Sequence, residues 1–152
     1  MNGLSRVNNP ALVLGGSFSV LAGFMHIGII IGGEEWYRFF GAGEEMASMA
    51  AQGSWMPGAI TAGIALILIL WGVYAYSGAG LTTRLPFLKP ILIAIAGVYL
   101  LRGVAVVPAL FMSTDINSEM STGFLLWSSM LSLTFGIAYA VGIRQMIWEG
   151  GG

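Results

Sequence analysis

The chain has 152 residues, of which 57 % are hydrophobic and only 9 % charged, with a mean hydropathy of +0.83. A water-soluble domain of this size carries about 25 % charged residues, so the composition predicts lipid rather than water as the main solvent. A net charge of −1 offers nucleic acid no electrostatic footprint, and the absence of cysteine removes disulfides, thiolate metal sites and thiol redox chemistry.

The first apolar stretch, 11–32, is long enough to cross a bilayer core, which takes about 20 residues. It exceeds the apolar core of a cleaved signal peptide and no small-x-small cleavage site follows it, so a retained span is expected. The only histidine of the chain, His26, lies about six residues before its end, roughly 9 Å deep at helical rise. Gly15, Ser19, Ala22 and Gly23 share its stripe, a small-residue pattern that suits a close helix–helix seam. Gly28-x-x-x-Gly32 offers a further contact, of the kind that builds a homo-oligomer.

The connection that follows reads GEEWYRFFGAGEEMASMAAQGSW. Gly32–Gly33 is expected to bend the chain out of the membrane. The dense Trp, Tyr and Phe content suits a membrane interface, and EEMASMAA is made of helix formers with Met46 and Met49 on one side. A short amphipathic helix or lid is predicted here, carrying Glu34, Glu35, Trp36, Tyr37, Arg38, Glu44 and Glu45.

The second span is predicted over 57–76, opened by Pro57 and closed by SGAG. Thr61 lies one turn inside its start. The third is predicted over 88–112 and contains Arg102, about fourteen residues from one end and ten from the other, a costly depth for a charge. Tyr99, Ile95 and Val106 are assigned to the same face as Arg102. The fourth span is predicted over 123–148, with Ser128 and Ser132 on one face and Tyr139 further in.

Arg6, Arg84, Lys89 and Arg144 flank one side of these spans, while Glu34, Glu35, Glu44, Glu45, Asp115 and Glu119 flank the other, with Arg38 as the single cation there. The positive-inside rule places both termini and the connection before residue 88 in the cytoplasm. The predicted fold class is all-α: an integral membrane up-down four-helix bundle, one transmembrane domain over 1–152, with a short interfacial helix or lid between spans 1 and 2.

If the polar faces turn inward, His26, Thr61, Tyr99, Arg102, Ser128 and Ser132 gather in the outer half of the bundle as a ligand pocket. A lid glutamate then reaches Arg102, since no span contains a carboxylate. The plainer readings are that His26 and Arg102 hold helices together and that the serines and Thr61 bond back to their own helices. No catalytic motif, no metal-ligand spacing and no dinucleotide or phosphate-loop fingerprint is present. Methionines with one imidazole suit copper(I), but no Met–His spacing repeats; one histidine cannot supply paired haem ligation.

The four-span layout, the late histidine of span 1, W-Y-R-F-F-G-A-G-E-E and L-L-R-G at 100–103 resemble the small DoxX-like four-span proteins of the bacterial inner membrane. The resemblance implies a bundle in that membrane, and through the family's quinone-linked namesake a quinone- or haem-linked oxidoreductase subunit as one alternative. It carries over no catalytic residue. The leading expectation is a non-enzymatic protein without cofactor that binds a lipid or other small amphiphile in an outer-leaflet pocket. A structural or accessory protein with no ligand is the third reading.

Overall fold

A computed structural model describes residues 9–105 and 122–149. Five helices are formed: α1 (Pro10–Phe39), α2 (Glu44–Ala51), α3 (Met56–Gly78), α4 (Leu88–Val104) and α5 (Thr122–Glu149). Asn9 caps α1: its Oδ1 accepts from the Leu12 amide at 3.1 Å while its Nδ2 donates to the Gly142 carbonyl at 2.7 Å. Pro10 follows in the first turn, where its missing N–H is no loss. One side chain thus starts α1 and ties it to α5.

Gly33 breaks α1. Its φ of 64° and ψ of −146° lie in a region open essentially to glycine alone. The indole of Trp36 consequently folds back over Gly32 and reaches Gly28. The Gly28-x-x-x-Gly32 face expected to meet another copy is therefore covered by the chain's own tryptophan.

The long helices alternate in direction around a four-cornered bundle. α1 lies beside α3 and α5, and α4 beside α3 and α5, so α1 and α4 are diagonal. Along α1 and α3, Gly16 meets Gly72 and Ala75, and Gly23 meets Ala65 and Ile69, an antiparallel seam. A Cβ built on Gly16 would stand 3.1 Å from the Gly72 carbonyl oxygen, and one on Gly23 3.0 Å from that of Ala65. The two backbones approach this closely only because these positions are small. At the far side Gly103 meets Leu133 and Gly136 meets Leu100, so α4 and α5 also run antiparallel.

The interior mixes Leu, Ile and Tyr side chains with small and hydroxyl residues, and the exterior is dominated by large apolar ones. Ser19, Thr61, Ser77 and Ser132 are buried, whereas Ile31 is 82 % exposed and Leu101 74 %. Leu21, Phe24, Leu66, Ile67, Ile93, Trp127, Met130 and Ile137 are exposed as well. A large apolar exterior over such an interior is the pattern of a chain solvated by lipid.

Among the described residues three helices, α1, α3 and α5, are long and apolar enough to cross a membrane. The sequence predicted four such spans. The described part of α4 is 17 residues, Leu88–Val104, and the remainder of the predicted third span lies outside the described residues. An eight-residue helix, α2, occupies the connection where a short helix was predicted.

The helix ends also separate charge. Arg84, Lys89 and Arg144 lie at one end of the bundle, and Glu34, Glu35, Arg38, Glu44 and Glu45 at the other. Ser77 closes the basic end by donating to the Thr83 carbonyl at 2.8 Å and accepting from the Leu85 amide at 3.0 Å.

Candidate functional site

Two polar assemblies stand out, one at the centre of the bundle and one at its acidic end. At the centre, Ser19 of α1 reaches across the bundle axis. Its Oγ lies 2.9 Å from the Tyr99 hydroxyl of α4, 2.9 Å from the Tyr139 hydroxyl of α5, and donates at 3.1 Å to the Gly15 carbonyl of its own helix. Tyr139 in turn donates to the Trp71 carbonyl of α3 at 3.1 Å. All four long helices therefore meet through one serine and two tyrosines, each buried: Ser19 and Tyr139 completely, Tyr99 to 5 % exposure.

Helical spacing explains why these groups converge. Gly15 clears room for the Tyr139 ring, whose Cδ2 would lie 2.9 Å from any Cβ there. Tyr99 sits among aromatic rings, edge-on to Trp71 at 5.2 Å and to Phe135 at 5.3 Å, with Phe135 stacked on Phe18 at 5.1 Å. Edge-to-face and offset pairs at such distances are favourable beyond the area they bury. The hydroxyls satisfy one another inside this aromatic box. Three hydroxyl protons serve four contacts, so the Ser19 proton is shared between the Gly15 carbonyl and the Tyr139 oxygen. The junction can hold helices together and pass a hydrogen bond around, but it presents no charge and no nucleophile.

The predicted pocket residues do not assemble into one floor. Tyr99 joins the central junction, as above. His26 is half-buried and its Nδ1 donates to the Ala22 carbonyl of its own helix at 2.7 Å. Ser128 and Ser132 likewise bond back, to the Leu125 carbonyl at 3.2 Å and the Ser128 carbonyl at 2.9 Å. Thr61 is buried at the start of α3. Arg102 is exposed on the outside of α4, between exposed Leu101 and buried Gly103. His26 and Arg102 belong to diagonal helices, and with Arg102 turned outward they face different surroundings.

The lid acids go elsewhere than to Arg102. Arg38 forms a fork between two of them: its Nε and Nη2 donate to Glu44 at 2.8 and 2.7 Å, and its Nη1 donates to Glu34. Among the described residues Arg102 has no carboxylate partner. The guanidinium holds the Glu44 carboxyl below the usual carboxylate range, chiefly by donating hydrogen bonds to it. Glu35 and Trp36 instead line a shallow open depression with Phe39 and Phe40, and Glu45 is exposed. Tyr37 is the reverse of an interfacial anchor. It is 2 % exposed, packed against Ile29 and Ala47, and its hydroxyl makes no hydrogen bond among the described residues.

Sequence reasoning placed Ser19 and Tyr139 on inward faces but did not join them to Tyr99. The signal available was one serine and one tyrosine at matching mid-span depths. Depth alone does not say which rings meet. No group of His, Asp or Glu among the described residues is arranged to hold a metal ion. Compared with protein-family models, curated proteins and solved structures, the chain matches none.

Proposed function

We propose that the chain is a non-enzymatic four-span protein of the bacterial inner membrane, similar in layout to DoxX-like proteins, that binds an acidic amphiphile in the outer leaflet. The observation that carries this reading is Arg102. It lies in the last described turn of α4, level with the middle of α5 where Gly103 meets Leu133; it is exposed, and it has no carboxylate partner among the described residues. At about 1.5 Å per residue it stands roughly 21 Å from the start of α4, inside a hydrocarbon core of about 30 Å. A guanidinium at that depth demands an anion or an escape to the headgroups along its own stem. A lipid phosphate or a fatty carboxylate supplies the anion, and exposed Val98 and Leu101 flank it with apolar surface for a tail.

The separation of charge at the two ends supports the orientation. Arg84, Lys89 and Arg144 belong on the cytoplasmic side, which puts α2 and the Arg38 fork on the outer side. The interior of the bundle supports a non-enzymatic reading, since the central junction is spent on joining helices. Lipid mass spectrometry on the purified protein tests the proposal. Wild type is expected to carry an acidic lipid enriched over the bulk membrane, Arg102→Lys a reduced amount and Arg102→Ala none above background. Equal retention by wild type and Arg102→Ala sinks it.

A further inference from the structure

The acidic end contains a buried group that the Arg102 reading does not use. Tyr37 lies beneath α2 with its ring on Ala47 and Ile29, and among the described residues its hydroxyl has no hydrogen-bond partner. A buried hydroxyl left unsatisfied is penalised by its full desolvation, so something must favour the covered state enough to offset that. Little does. α2 fully buries Ala47 alone and covers Met46 and Ala50 in part. Its clasp is the pair between Glu44, its first residue, and Arg38, both largely exposed, and exposed pairs contribute weakly.

Gly41 and Gly43 precede α2 at φ of 67° and 92°, and Gly53 follows at φ of 76°. Glycine reaches other backbone angles without a Cβ clash, so these are the positions at which α2 would turn, on release of turn bonds such as Ala42 N–H to the Tyr37 carbonyl and Ser54 N–H to the Met49 carbonyl. Opening α2 would uncover Tyr37 and release two donors of the Arg38 guanidinium at one place. Those groups are a phenolic donor and a planar cation, a pair that suits an acidic oxygen group. Half-buried Phe40 beside Ile29, both on the α1 side, supplies the apolar wall.

We propose that α2 is a hinged lid over a second binding site, in which the acid group of an amphiphile displaces Glu44 from Arg38 and accepts from the Tyr37 hydroxyl. The site is independent of Arg102 and stands or falls separately from it.

The absence of cysteine makes the test clean. Ala47→Cys places a thiol at a fully covered position of the lid, so labelling by a water-soluble maleimide in proteoliposomes reports opening. Glu44→Gln is expected to raise the labelling rate several-fold by removing the clasp, and Tyr37→Phe to lower it by roughly tenfold by removing the unsatisfied hydroxyl. Dodecyl phosphate is expected to accelerate labelling, dodecyl maltoside to leave it unchanged, and Arg38→Ala to abolish the response to dodecyl phosphate. A response to inorganic phosphate alone assigns the site to a soluble anion rather than a lipid. Hydrogen exchange of residues 44–51 in the Glu44→Gln and Tyr37→Phe variants, with no cysteine introduced, gives the same ordering without the bulk of a thiol. Equal rates in these two variants, or a response to dodecyl phosphate that survives Arg38→Ala, overturns the proposal.

Discussion

Ser19 is a small residue with a large share of the bundle's polar organisation. Among the described residues Tyr99 has no hydrogen-bond partner except Ser19, whereas Tyr139 keeps the Trp71 carbonyl if Ser19 is lost. The two tyrosines therefore respond differently to the same substitution. Ser19→Ala leaves the Tyr99 hydroxyl buried and unpaired, and is expected to lower stability by about 1 kcal/mol, near the usual value for an interhelical hydrogen bond in a membrane. Adding Tyr99→Phe to Ser19→Ala removes the stranded group and is expected to recover part of that loss. Adding Tyr139→Phe is not, because it removes the bond to Trp71 as well. Thermal unfolding of the three proteins in one detergent measures the order. If both double variants unfold together, the junction is not organised around Ser19.

At the scale of the element, α1 is instructive because its bend rests on one backbone angle. A Cβ on Gly33 meets nothing within 4 Å, so any penalty for Gly33→Ala comes from the backbone rather than from packing. That penalty is about 1–3 kcal/mol, and it is expected to straighten α1 and carry Trp36 off Gly32. A change in tryptophan emission with a lowered unfolding temperature registers it. Gly32→Ala is expected to disturb the same tryptophan by direct collision while leaving the bend in place.

The adjoining helix α2 carries a pH dependence with a definite sign. Arg38 lowers the proton affinity of Glu44, and among the described residues its other partner is Glu34, since α3 contributes no charged residue to the contact. A depressed carboxyl stabilises above its unfolded value and loses that contribution as pH falls through its folded value. Protection of the amides over 44–51, corrected for the intrinsic pH dependence of exchange, is thus expected to fall at acid pH below the ordinary carboxylate range, and Glu44→Gln to abolish that change. Unchanged protection across that range removes the clasp.

At the scale of the whole molecule, local signals were legible and relative ones were not. The long apolar helices at three of the four predicted spans, the Gly32–Gly33 bend and the short helix over 44–51 follow from runs of residues read in order. The azimuth of Arg102 does not. Tyr99 and Arg102 are three apart, which on a helix is 300° rather than a full turn, and that offset leaves Tyr99 buried and Arg102 exposed. The partner of the lid acids was nearer than the one sought. Glu34 and Arg38 stand at i,i+4 within the first connection, so a local pair formed where a long-range one to Arg102 was expected.

Orientation belongs to the same scale, because it depends on the sum of flanking charge and on no single contact. The basic end holds Thr82 and the acidic end Gln52, both exposed. With no native thiol in the chain, Gln52→Cys and Thr82→Cys each report one end alone. In intact cells an impermeant maleimide is expected to reach Gln52→Cys and to reach Thr82→Cys only after permeabilisation. The reverse pattern would put α2 and the Arg38 fork in the cytoplasm and Arg102 in the inner leaflet. An amphiphile bound there would be drawn from the cytoplasmic lipid pool, and the segregation of Arg84, Lys89 and Arg144 would need another cause than the positive-inside rule.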